Sequence, residues 1–161
     1  DWANTRAWST GGYYGRIFLN VKDREPLGVI PPEQYEQVRD ELAAEIRTIP
    51  DDRGQPLNNH VHKPQEIYQQ VNRIAPDLIV YFGDLYWRAV GSMGYGQHTS
   101  LDNDTGPDAA NHAPEGLFIL NEAGRQGQGQ IERRQLMDIA PTILNRMGIA
   151  VPDNMQGRMI E

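Results

Sequence analysis

Leu78-Ile79-Val80-Tyr81-Phe82 is the stretch on which the fold turns. Four of its five residues are β-branched or aromatic, and it has no polar face, so it predicts a central strand rather than a half-solvated one. Upstream, residues 16–21 read as a buried strand that Pro26-Leu27-Gly28 breaks. Pro31-Pro32 then opens a helix whose apolar positions Tyr35, Val38, Leu42 and Ile46 fall on one face, with Glu33, Glu36, Asp40 and Glu41 left to water. Pro50 ends it, residues 51–56 form a turn, and His60-Val61-His62-Lys63 alternates as a short strand does. Pro64 suits the first turn of a short helix through Tyr68. Apolar runs alternating with amphipathic stretches in this way predict an α/β arrangement. No internal repeat and no domain boundary is visible, so residues 1–161 read as a single α/β segment.

Downstream of the central strand the pattern loosens. Residues 86–90 have the character of an edge strand, but Gly91, Gly94, Gly96 and Gly106 leave little regular structure after them. A loop this long is functional or mobile as a rule, and mobility is the expectation for residues 91–111. The loop closes on Asn111-His112-Ala113-Pro114-Glu115-Gly116 and delivers His112 to the mouth of an apolar run, Leu117-Phe118-Ile119-Leu120, that reads as a strand. An imidazole at a strand mouth sits where catalytic metal ligands tend to sit, because loops at sheet edges hold polar groups that a core cannot satisfy. Residues 124–129 make a second flexible stretch. The last helix starts at Asp138 as N-cap, with Pro141 in its first turn, Ile139, Ile143 and Met147 as the buried stripe and Gly148 just past its end.

Other polar residues have plainer readings. His60 and His62 share one strand face in a geometry able to bind metal, but no carboxylate or third histidine is adjacent in sequence, so they read as exposed strand residues. His98 reads as a mobile surface histidine. Asp102, Asp104 and Asp108 lack the glutamate and central glycine of a calcium loop and read as solvated. Thr5, Ser9, Thr99 and Ser100 have no histidine and acid set around them as an activating group and read as structural. There is no Gly-x-x-x-x-Gly-Lys-Ser/Thr pattern, which argues against a nucleotide P-loop.

Several segments together resemble the alkaline phosphatase superfamily, in its type I phosphodiesterase/nucleotide pyrophosphatase branch. They are Asp1-Trp2-Ala3-Asn4-Thr5-Arg6-Ala7 leading to Gly15-Arg16-Ile17-Phe18-Leu19-Asn20, then Ala75-Pro76-Asp77-Leu78-Ile79-Val80, and the helix Asp138-Ile139-Ala140-Pro141-Thr142-Ile143-Leu144 with the closing Gly148-Ile149-Ala150-Val151-Pro152-Asp153-Asn154-Met155-Gln156-Gly157-Arg158. They span nearly the whole chain in the family's order. The resemblance implies that this chain is the C-terminal portion of an α/β/α sandwich of the alkaline-phosphatase-like type. It implies that His112 is a zinc ligand, matching the family histidine in the loop before a glycine-hydrophobic-phenylalanine strand. It further implies two metals, a small phosphate-ester substrate and an upstream Ser/Thr nucleophile. That nucleophile, the family's N-terminal aspartate and its Asp-His-Gly ligand motif belong upstream of Asp1, so catalytic residues are expected elsewhere and the segment alone is expected to be inactive and to keep no zinc. Asp1 in place of a methionine favours truncation over a free-standing module.

Composition sets outer limits. The 161 residues, 39% hydrophobic, suffice for one domain with a core, as in a soluble piece of a cytoplasmic-type enzyme. No apolar run approaches the roughly 18 residues of a membrane span. The absence of cysteine excludes disulfides and thiolate metal sites. A net charge of −7, from 15 basic and 22 acidic residues, argues against a nucleic-acid polymer as partner. The expected partners are the remaining N-terminal part of the same protein and, through exposed apolar surface, other copies of the segment. The competing class is a non-catalytic binding or assembly module on the same type of fold.

Overall fold

The computed structural model describes residues 1–91, 94, 96–101, 110–124, 126–127 and 129–160. The chain is a mixed α/β protein that divides into two compact units, Asp1–Leu117 and Phe118–Glu161.

The first unit is built on a four-stranded antiparallel sheet in the order β1-β2-β4-β3, where β1 is Ala7–Thr10, β2 Gly15–Leu19, β3 His60–His62 and β4 Leu78–Tyr81. The stretch at residues 78–82 is central, as its composition requires. Leu78 and Val80 are fully buried, and β4 has a neighbour on each side. The helix α1 (Tyr35–Arg47) covers one face of the sheet. Its Val38, Ala43 and Ile46 meet Val61, Leu78, Val80, Leu19 and Val21, while Tyr35 and Leu42 pack at the margin. The pairs Ala7 with Leu19, Ile17 with Leu78 and Val61 with Val80 place their side chains on that covered face. The opposite face carries Trp8, Phe18, Ile79, Tyr81, His60 and His62 by the same alternation. A one-turn helix α2 (Pro64–Ile67) follows β3 as its proline predicts.

Strand β1 has no strong signal of its own and gains its place by pairing. Trp8 stacks on its cross-strand partner Phe18 with centroids 5.5 Å apart. The turn that joins β1 to β2 is pressed against residues 89–91. Gly12 and Ala89 exchange both backbone hydrogen bonds, at 2.8 and 3.0 Å. A Cβ on Gly11 would lie 2.5 Å from the Gly91 nitrogen, so this approach admits only glycine. Ala89 is the residue of 86–90 that pairs, through an isolated bridge; the expected edge strand does not form. The run at residues 117–120 also forms no strand. Leu117 is 88% and Ile119 76% exposed, because an apolar run becomes a strand only where a partner strand takes up its backbone groups.

A polar node ties the covered face together. Asp77, just ahead of β4, is 4% exposed. Its carboxylate accepts from the Leu19 N–H at 2.6 Å, from both Arg24 terminal nitrogens at 2.8 Å and from the Tyr35 hydroxyl at 2.6 Å. Burial works to raise its pKa, but the bonds from Arg24, Tyr35 and the Leu19 amide outweigh it and hold the carboxyl below the usual carboxylate range. Burial, with the bond to Asp77, pushes the Tyr35 phenol up.

In the second unit α3 is Ile139–Arg146, preceded by a helical turn at Leu136–Asp138. Asp138 is the N-cap of α3 as expected, but its carboxylate bonds back to the start of the preceding turn and not to the α3 amides. Its carboxylate accepts from the Gln135 N–H at 2.9 Å and the Arg158 N–H at 2.8 Å, and these backbone bonds lower its pKa. The buried side of α3 differs from the expected stripe. Pro141 and Thr142 are buried with Ile160, whereas Ile143 and Met147 are 49% and 66% exposed. The selection is polar: Thr142 donates to the Asp138 carbonyl at 2.5 Å and accepts from the Ile160 N–H at 2.9 Å. A Cβ on Gly157 would lie 1.9 Å from the Met137 carbonyl oxygen, so the closing segment packs there through bare backbone. Gly148, at φ 69°, ends the helix as expected.

Candidate functional site

His112 lies in a segment without regular structure, and what holds it is the far end of the β1-β2 hairpin rather than a strand after it. Three segments distant in sequence meet here: the turn at residues 11–14, residues 82–91 after β4, and residues 110–112. The Arg88 guanidinium donates to the Ala110 carbonyl at 2.6 Å, and the Asn111 side chain donates to the Leu85 carbonyl. Asn111 in turn accepts from the His112 N–H at 2.9 Å. These bonds fix the backbone on which the imidazole stands. The ring then lies against Tyr13, with centroids 3.9 Å apart, while Arg88 sits over the same tyrosine ring at 4.8 Å. His112 is exposed, and among the described residues its ring nitrogens take no hydrogen bond. A held imidazole with open nitrogens can ligate a metal or exchange a proton.

One imidazole is all that the described residues offer at this point. Among them, no three or more His, Asp or Glu side chains are grouped so as to hold a metal ion. A zinc site needs three or four protein donors, and the described residues assemble no such group around His112. The strand expected beside His112 at residues 117–120 does not form.

The remaining candidates separate cleanly. Asp102, Asp104 and Asp108 lie outside the described residues, as does most of the expected mobile loop. His98 is exposed. The Thr5 hydroxyl donates to the Asp1 carbonyl at 2.8 Å and the Ser9 hydroxyl to the Thr10 carbonyl at 3.4 Å, local bonds that suit structural roles. Asp77 is unsuited to act on a ligand, because its acceptor capacity is filled internally. His60 and His62 share a face, with their rings nearly parallel.

Sequence reasoning missed Tyr13, Arg88 and Asn111, the three residues that position His112. The one local trace of them is glycine at positions 11, 12 and 91, where two backbones approach. Compared with protein-family models, with curated proteins and with solved structures, the chain matches none. The resemblance to the phosphodiesterase branch rests on the residues quoted above.

Proposed function

We propose that this chain is the C-terminal portion of a metal-dependent phosphodiesterase or phosphatase of the alkaline phosphatase superfamily, and that its four-stranded sheet is part of a larger α/β/α sandwich. The observation that carries the reading is His112 itself. It is the residue that matches the family's zinc ligand, and its imidazole is exposed, tethered through Asn111 and Arg88, and backed by Tyr13. Zinc, when bound, polarises a phosphoryl oxygen and lowers the pKa of water. His112 supplies a neutral nitrogen to that site, and Tyr13 limits the rotation of its ring. The hydroxyl nucleophile and the other ligands belong to the family's upstream motifs, and a small phosphate ester is the substrate class. A single imidazole gives the isolated chain weak zinc binding at this point and no turnover.

The test is His112→Ala in the protein that carries the upstream half. Hydrolysis of an aryl phosphodiester should fall by at least about a hundredfold and zinc content should drop, with the circular dichroism spectrum unchanged. His98→Ala should have no effect. Full activity and full zinc content in the His112 variant would remove the reading. The same reading expects the isolated chain to self-associate, since Ile74, Leu101, Leu117 and Leu136 are each at least 85% exposed. Light scattering that gives a clean monomer well above micromolar concentration would count against it.

A further inference from the structure

The edge strand β3 carries His60 and His62 two residues apart, so both imidazoles leave the sheet on the same side. Their ring planes are nearly parallel, at 7° to each other with centroids 6.5 Å apart. His62 is braced by the Tyr81 ring, edge-on at 5.7 Å, and Tyr81 is itself met edge-on by Tyr14. In sequence the pair has no acid beside it. The fold supplies one, because β4 ends in a sharp turn in which Gly83, Asp84 and Leu85 all take positive φ, and this turn brings the Asp84 carboxylate within 4.0 Å of His60 Nε2. His60 and Asp84 are 54% and 59% exposed, so an ion reaches them directly from water.

We propose that His60 and His62 form a two-imidazole chelate for a borderline transition-metal cation, with Asp84 adding favourable charge beside it and water completing the coordination. Nitrogen ligands of this kind select copper, nickel and zinc over magnesium and calcium. The brace from Tyr81 lowers the ordering cost of His62 on binding. This site is separate from His112 and does not depend on the phosphoryl-transfer reading.

The chain holds four histidines, at positions 60, 62, 98 and 112, which makes a direct test possible. Substoichiometric nickel added to the full chain should broaden the imidazole NMR signals of His60 and His62 first. In calorimetric titration with nickel or zinc, His60→Ala and His62→Ala should each weaken binding by roughly tenfold or more, the scale at which even outer groups of metal sites are felt. Asp84→Asn should weaken it by a few-fold and reduce its salt dependence. His98→Ala should leave it unchanged. Equal broadening at all four histidines, or binding that survives in both the His60 and His62 variants, would overturn the proposal. The wild-type NMR measurement stands whether or not a variant folds. Loss of nickel binding only in His112→Ala would overturn it too, while leaving the reading of His112 intact.

Discussion

Asp77 and His112 stand at opposite extremes of how the first unit holds a polar side chain. Asp77 is buried and its carboxylate is filled by a backbone amide, a bidentate arginine and a tyrosine hydroxyl. His112 is exposed, and its imidazole is held by ring contact with Tyr13. A buried charge must be satisfied within the protein, so Asp77 contributes stability and nothing remains of it for a ligand. An exposed imidazole with open nitrogens costs the fold little and keeps its chemistry available. The two polar side chains thus differ in how much hydrogen-bonding capacity the described residues leave unused.

The strongest way to break this contrast is Asp77→Ala. It leaves the Leu19 amide and the Tyr35 hydroxyl without their acceptor and Arg24 without its partner, and should cost about 3 kcal/mol in urea denaturation. A loss under about 1 kcal/mol would mean that water replaces the carboxylate and that Asp77 is no more structural than His112. The same node fixes a pH dependence. Because the folded pKa of Asp77 lies below the unfolded value of about 3.9, its contribution is fully present above that value and is lost as pH falls through the folded one. Wild-type stability should therefore drop in acid more steeply than that of Asp77→Asn, and parallel pH curves would refute the assignment.

Thr142 extends the comparison to the second unit. It is 1% exposed, and its hydroxyl accepts from the Ile160 amide at 2.9 Å. Thr142→Val keeps the shape and removes the acceptor, so it should cost about 1–2 kcal/mol, read as accelerated hydrogen exchange at the Ile160 amide and at α3. Exchange unchanged at Ile160 would show that the threonine is replaceable by solvent.

The smallest effect is expected at His112. His112→Ala should shift the urea midpoint by no more than about 0.5 kcal/mol in stability, because an exposed residue outside regular structure contributes little packing. A shift near that of Asp77→Ala would sharpen the picture in the other direction, making the contact with Tyr13 a structural tether. Tyr13→Phe should match wild type in that experiment, since the ring and not the hydroxyl meets the imidazole.

What the sequence determined by itself is local. The strand at residues 78–82, the helix opened by Pro31-Pro32 with its apolar face, the short strand at residues 60–63, the short helix opened by Pro64 and the final helix ended by Gly148 follow from signals carried within a few residues, and the structure has each element, with β3 ending at His62 and β4 at Tyr81. Sequence also singled out His112 and the shared face of His60 and His62. Only the tertiary structure decided which elements found partners. Ala7–Thr10 became a strand because β2 lay beside it, and residues 117–120 did not, though their composition is the more strand-like. It put Tyr13 and Arg88 around His112 and carried Asp84 to His60. It also turned Thr142, rather than Ile143, into the buried side of α3. The physical reason is common to all of these. Hydrogen bonds and ring contacts between residues tens of positions apart depend on where the chain returns to itself, and periodicity in a short window holds no record of that return.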